Sequence, residues 1–187
     1  MIDLQQIKNF LLNENPVITL TGNEFGKKDG FTLTQQVIDC YNMIDNEVIS
    51  PAYGKIILDK QSVEDDFAHG VSRIKAIAFA AVPAVIEKGV VILPLAQHKE
   101  GDKRLSAMIA APIQIAENEY ICVVVIRQYV SGNKKLYVHE VSLKDKFLVS
   151  SSNPTLMPAT QQGIISVPLE KNQGSVAKVL QNILLTK

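Results

Sequence analysis

At 187 residues the chain has the size of one compact domain with room for an added terminal segment. Its 47% apolar content can fill a core, while 19 basic residues balance 19 acidic ones and the pI stays near 6.8, which excludes a protein-wide positive field for holding a nucleic-acid backbone. Any RNA partner therefore needs a local basic patch.

From the N-terminus, Ile2, Leu4, Ile7, Phe10 and Leu11 recur at helical spacing, and the predicted helix ends across residues 13–16 because the residue before Pro16 avoids the α region. This segment is expected as an arm or half of a helical hairpin. Thr21-Gly22-Asn23 and residues 27–30 are turn-like, after which Val37, Ile38, Tyr41 and Met43 restore a helical period over residues 34–43. Ser50-Pro51 to Gly54 is the best internal boundary. It divides an N-terminal helical segment, residues 1–50, from an α+β core, residues 51–147, and a connector with a C-terminal helix, residues 148–187.

Residues 55–58 read as a short strand. Ser62-Val63-Glu64-Asp65 then has the Ser-x-x-acid form of a helix N-terminal box, and Gly70 offers the left-handed stop, so a short helix ends on His69. Ser72 caps a second helix, apolar on most faces and hence buried, which Pro83 kinks or restarts and Gly89 closes. Four strand-like segments follow over residues 90–95, 105–115, 120–130 and 136–143, broken by a polar loop holding His98 and by turns at Glu117-Asn118-Glu119 and Ser131-Gly132-Asn133. Pro112 implies a bulge or an edge position. Consecutive hairpins of this kind make an antiparallel meander. Past Phe147 the composition turns to Ser, Asn, Pro, Thr and Gln as far as Gly163, an irregular connector, and a short amphipathic helix over residues 176–185 is capped by Ser175.

No Gly-x-x-x-x-Gly-Lys-Ser/Thr loop, Gly-x-Ser-x-Gly elbow, His-Glu-x-x-His pair or dinucleotide fingerprint occurs, which argues against nucleotide hydrolases, serine hydrolases, zinc proteases and dehydrogenases. Cys40 and Cys122 lack ligand spacing and read as small reduced core residues. His69, His98 and His139 show no metal-ligand spacing and no supporting carboxylate cluster, so neither a metal nor any other cofactor is expected. Residues 1–5 lack the basic start and apolar stretch of a signal peptide, and the longest apolar run, residues 76–86, is well short of the roughly 20 residues that span a bilayer. The expectation is a cytoplasmic protein with no membrane partner, although export by phage or specialised secretion leaves no mark.

Residues 54–70, Gly-Lys-Ile-Ile-Leu-Asp-Lys-Gln-Ser-Val-Glu-Asp-Asp-Phe-Ala-His-Gly, and residues 75–89, Lys-Ala-Ile-Ala-Phe-Ala-Ala-Val-Pro-Ala-Val-Ile-Glu-Lys-Gly, resemble the large polyvalent protein-associated domain of phage and mobile-element proteins. That domain is often found near the end of head-morphogenesis proteins of the MuF type. The likeness continues through Ala110-Ala111-Pro112-Ile113, Val125-Ile126-Arg127 and Leu136-Tyr137-Val138-His139-Glu140-Val141, and so covers residues 54–145. The family looks related to the barnase, EndoU, colicin and RelE-like nuclease fold. The resemblance thus implies an α+β fold, helices followed by a twisted antiparallel sheet of about four strands, the order that periodicity gives independently. It also implies RNA cleavage without a metal. In that chemistry the 2′-hydroxyl attacks the adjacent phosphate, which calls for a base, an acid for the leaving oxygen and a cation for the phosphorane charge.

His69 closes its helix where the carbonyl end of the dipole favours an imidazolium, and it serves either as catalytic base or acid or as a cap bonding backbone. Arg127 interrupts an apolar strand on the face of Ile121, Val123, Val125 and Tyr129. It either clamps a phosphate with its planar fork or pairs with Glu140 or another carboxylate. His139 shares that face only under an even pairing sum, with Arg127 opposite Tyr137 or His139, whereas an odd sum puts Glu140 and Ser142 there. Arg73 and Lys75, one turn beyond His69, add charge or are simply solvated. Tyr129 and Tyr137 stack a base, supply a hydroxyl or pack within the sheet. The catalytic candidates are then His69, Arg127, His139 and Tyr129, with Lys75, Arg73, Tyr137 and Ser142 for substrate binding and no metal ligands.

Functions from different classes stay open. One is a metal-independent endoribonuclease acting as toxin or effector, with RNA as its partner and a cognate immunity protein as its antagonist. Another is a non-catalytic interaction domain of a phage polyvalent or head-morphogenesis protein, which the balanced charge favours. An immunity or antidote protein is the third.

Overall fold

The computed structural model describes residues 3–98, 101–130, 132, 134–150 and 173–185. Helix α1, Leu4–Asn13, starts where the Asp3 carboxylate accepts the backbone N–H groups of Gln5 and Gln6 at 2.9 and 3.3 Å, and it buries Ile7 and Leu11. Strand β1, Thr19–Leu20, follows, and then α2, Leu33–Asn42, capped by Thr32. Strands β2, Glu47–Ser50, and β3, Gly54–Ile57, form a hairpin in which Ser50 faces Gly54. The segment expected as an internal boundary is therefore the turn of a hairpin inside one sheet.

Three helices come next, α3 (Lys60–Ala68), α4 (Arg73–Ala78) and α5 (Val82–Lys88), with a 3-10 turn, Phe79–Ala81, between the last two. α3 starts before the expected Ser62 box. Asp59 is its cap residue, and Ser62, already one turn inside, donates its hydroxyl to the Asp59 carboxylate at 3.2 Å. The stop at Gly70, with φ +81°, comes directly after His69, and Ser72 caps α4 by accepting the Lys75 N–H at 3.2 Å. Pro83 falls in the first turn of α5, where its missing N–H has no intrahelical partner to lose.

Strands β4 (Val90–Ala96), β5 (Arg104–Ile115), β6 (Asn118–Tyr129) and β7 (Leu136–Asp145) are the expected meander of antiparallel neighbours. The sheet as a whole corrects the expectation of about four strands. It is seven-stranded and mixed, in the order β1-β5-β6-β7-β3-β2, with β4 also on β5. β1 joins β5 and β3 joins β7 in parallel, pairings between segments far apart in the chain that no local pattern announces. Pro112 sits where the outer edge of β5 passes from β4, paired up to Ala110, to β1, paired from Gln114. The Gln114 N–H points outward to Ile18, and alternation turns the Pro112 nitrogen the same way, so no bond to β6 is lost.

Alternation along β6 divides the interior. Cys122, Val124 and Ile126 face a larger core with Val37, Tyr41, Val63, Phe79 and Val85 of the α2–α5 layer. Ile121, Val123 and Val125 face a second core with Ile7, Leu11, Val176, Leu180 and Ile183 of α1 and α7 (Gln173–Leu184). Helices thus cover both faces of the sheet. At the β2–β3 turn the Tyr53 hydroxyl accepts the Leu95 N–H at 3.2 Å, so two margins of the sheet approach each other around the larger core. Short helix α6, Lys146–Ser150, is capped by Asp145, which accepts from Phe147 and Leu148 N–H at 2.9 and 3.2 Å. Ser175, expected as a cap, lies inside α7, because helical geometry already starts at Gln173. The expected connector falls mostly on residues 151–172, outside the described residues. No described helix is long and apolar enough to cross a membrane.

Candidate functional site

Antiparallel order brings the start of β5, the end of β6 and the start of β7 to the same end of the sheet. There Arg104 lies opposite Tyr129, Ser106 opposite Arg127, and Arg127 opposite Tyr137. All alternate with Met108 and Val125, so they stand on the α1/α7 face, past the apolar residues those helices cover. The Tyr129 and Tyr137 rings stack with centroids 6.1 Å apart and planes inclined 28°. Lys103 precedes β5, and Lys134 and Lys135 precede β7. A chain without net charge thereby gathers Lys103, Arg104, Arg127, Lys134 and Lys135 in one place.

The β6–β7 pairing changes register within this end. From Tyr120 opposite Asp145 to Val125 opposite Glu140 the sum of residue numbers is odd; at Ile126 opposite Val138 and Arg127 opposite Tyr137 it is even. His139 is the extra residue of the bulge. Both alternatives left open by the sequence therefore occur, on successive stretches of one strand pair. Glu140 and Ser142 share the face of Val125 and Val123, Tyr137 shares that of Arg127, and the bulge turns the His139 ring within electrostatic reach of both arginines.

Burial, and next the Arg104 charge, lower the Arg127 pKa. Its buried Nε has no hydrogen-bond partner among the described residues. Burial also pulls Arg104 down, but the bond and charge of Asp102, whose Oδ1 accepts Arg104 N–H at 3.1 Å and Nε–H at 3.4 Å, outweigh it. Burial and then the Arg127 and Arg104 charges push His139 down to about 4, against the opposing Asp65 carboxylate, so its ring is neutral at pH 7. Burial and the neighbouring Tyr129 raise the Tyr137 pKa, with Arg104 and Arg127 opposing. Two guanidiniums, a neutral imidazole and a protonated phenol then share one surface, where no described residue bonds the Arg127 Nε although the Asp102 and Glu140 carboxylates act on the guanidinium from a distance.

The fold brings together Arg127, Tyr129, Tyr137 and His139 and sets the other candidates apart. His69 is exposed at the end of α3, a helix packed through Val63 and Phe67 on the opposite face of the sheet. Arg73 is exposed in the first turn of α4, and Lys75 pairs with Asp66 at 3.8 Å. Ser142 is buried and donates to Glu140 at 3.3 Å. Arg104 and Asp102 were missed by sequence reasoning. The available signal was the tight turn at Ala116-Glu117, since a two-residue loop sets a register that carries Arg104 to Tyr129. His98 bridges two strands, its Nε2 lying 3.1 Å from the Pro94 carbonyl and 2.9 Å from that of Ser106, so this nitrogen carries the proton. Among the described residues no group of three or more His, Cys, Asp or Glu side chains is placed to hold a metal.

The profile of large polyvalent protein-associated domain 3 matches residues 29–137, more than half of the chain. The chain belongs to this family. The match runs from ahead of α2 to the first residues of β7, so the polyvalent-protein-associated domain includes Arg104, Arg127, Tyr129 and Tyr137, while His139 follows just after it. No curated protein and no solved structure matches the chain.

Proposed function

We propose that this polyvalent-protein-associated domain, of phage or mobile-element origin, binds RNA at the Arg104–Arg127 cluster and cleaves it as a barnase/EndoU/RelE-like ribonuclease using only its own side chains. The observation that carries the proposal is the buried, unpartnered Nε of Arg127 beside a second guanidinium and a neutral histidine. An arginine kept for structure is satisfied by a carboxylate, whereas one kept for a phosphate waits for two oxygens. In this reading Arg127 and Arg104 hold the phosphate and its growing charge. His139 takes the proton from the 2′-hydroxyl, the 2′-oxygen bonds to phosphorus, and the bond to the 5′-oxygen breaks as Tyr137 donates its phenolic proton to that oxygen. A 2′,3′-cyclic phosphate and a 5′-hydroxyl result. His69, Arg73, Lys75 and Ser142 have no part in it.

The test is RNA cleavage in the presence of a chelator by the wild type, Arg127→Gln and His139→Gln. We expect cyclic-phosphate ends, a loss of roughly a hundredfold or more in each variant, as general acid–base groups contribute, and no cleavage at a position carrying 2′-deoxyribose. Intact RNA after incubation with folded wild type, or full activity in both variants, would refute the assignment.

A docking role rests on a separate observation. Leu148 of α6 and Leu185 after α7, 62% and 53% exposed, line a hollow with Ala177, Leu180 and Leu184, and Phe147, next to Leu148, is 76% exposed. Expression that arrests growth and is rescued by a neighbouring gene product supports the nuclease; harmless expression with a stable partner supports docking.

A further inference from the structure

Resting on the RNA reading above, we infer that the site selects single-stranded RNA by stacking one unpaired base on Tyr129 while Arg104 and Arg127 hold the neighbouring phosphate. Tyr129 is the last residue of β6 and is 50% exposed. One side of its ring is backed by Tyr137 at 6.1 Å and 28°, so the platform is held in place from within the sheet. Its cross-strand neighbour is Arg104, and the next pair along the same face is Ser106 with Arg127. At the backbone Arg104 is one strand spacing from Tyr129, roughly 5 Å, and Arg127 is two residues along the same strand, roughly 7 Å, spans that one nucleotide bridges from base to phosphate.

Three features favour a single strand over a duplex. The aromatic surface presents a π-face, which any splayed base matches and a base inside a helical stack does not. The cations are confined to one end of the sheet, Lys103, Arg104, Arg127, Lys134 and Lys135 in a chain without net charge, so few phosphates can be tracked and stacking adds to the affinity. The unpartnered Arg127 Nε asks for one well-placed anion rather than a long backbone track.

The experiment uses the full chain and a short single-stranded RNA with 2-aminopurine at one position and 2′-methoxy groups throughout, so that it binds without being cut. A hairpin of the same composition serves as the duplex. With wild type and Tyr129→Phe we expect quenching of 2-aminopurine fluorescence on binding, and anisotropy showing the single strand bound at least tenfold more tightly than the hairpin. Tyr129→Ala should bind about tenfold more weakly and lose the quenching, in the range that base–aromatic stacking contributes. Equal affinity for the hairpin, or Tyr129→Ala binding and quenching like wild type, overturns the inference. If in that case Arg127→Gln still abolishes binding, the phosphate reading stands without the stacking; if the folded wild type binds neither RNA, both fall.

Discussion

Arg127 on β6 stands directly opposite Tyr137 on β7, and the register of the two strands slips one pair further along, between Ile126 opposite Val138 and Val125 opposite Glu140, leaving His139 as the extra residue. In a ladder that kept the Val125–Glu140 register throughout, the His139 side chain would alternate away from Arg127. The bulge instead leaves it within the field of both guanidiniums, and that field together with burial keeps the imidazole unprotonated.

The His139 ring should therefore titrate near 4 in a proton NMR experiment, and its pKa should move upward in Arg127→Gln, because one of the charges disfavouring the imidazolium is gone. The folded value lies below the ordinary 6.5, so the unfolded chain takes up the proton first. Stability from this group is complete above about pH 6.5 and falls as pH drops towards about 4. After discounting for partial exposure the loss is on the order of 1–2 kcal/mol. His139→Gln should flatten that part of the pH–stability curve; an unchanged slope would count against the placement of the ring.

Gly89 and Gly54 should respond differently to alanine. At Gly89 the backbone is extended, φ −75° and ψ 172°, but a Cβ would lie 2.4 Å from the Val85 carbonyl oxygen and 2.9 Å from that of Ala110. Neither atom can move without opening the junction of α5 with the sheet, so Gly89→Ala should cost about 3 kcal/mol or more. At Gly54, with φ +72° and open space around it, Gly54→Ala should cost about 1–2 kcal/mol from backbone strain alone. Urea unfolding of the two variants makes the comparison, and equal midpoints would show that the close approach is not there.

Asp66 completes the margin of β7. The parallel partner β3 stops at Ile57, opposite Tyr137, and beyond it the Val141 N–H is bonded by the Asp66 carboxylate at 3.3 Å. Asp66→Ala removes that acceptor and should destabilise by about 1–3 kcal/mol, with Lys75→Met losing less because its 3.8 Å ion pair is only one of the interactions at the carboxylate. Thermal melts of both variants test the ranking. RNA affinity surviving in Lys75→Met fits the present site, whereas its loss in a fully stable Lys75→Met protein would return that lysine to the binding surface.

The sequence by itself determined most local elements. Spacing of apolar residues placed α1 and α2, Gly70 and Ser72 marked the break between α3 and α4, Pro83 marked the restart at α5, and strand formers between turns outlined β4 to β7. These are short-range effects of dihedral preference, capping and side-chain period, all written within a few consecutive residues. The quoted motifs likewise carried the family. The tertiary structure alone decided that β1 and the β2–β3 hairpin complete a seven-stranded mixed sheet, and that Asp59 rather than Ser62 opens α3. It also decided that His69 belongs to the opposite layer from Arg127, that Arg104 stands beside the cluster, and that both pairing sums occur around His139. Parallel pairing joins segments too distant for any periodicity to record. A one-residue slip, for its part, exchanges the faces of every following side chain and is settled only by how two packed cores meet the sheet.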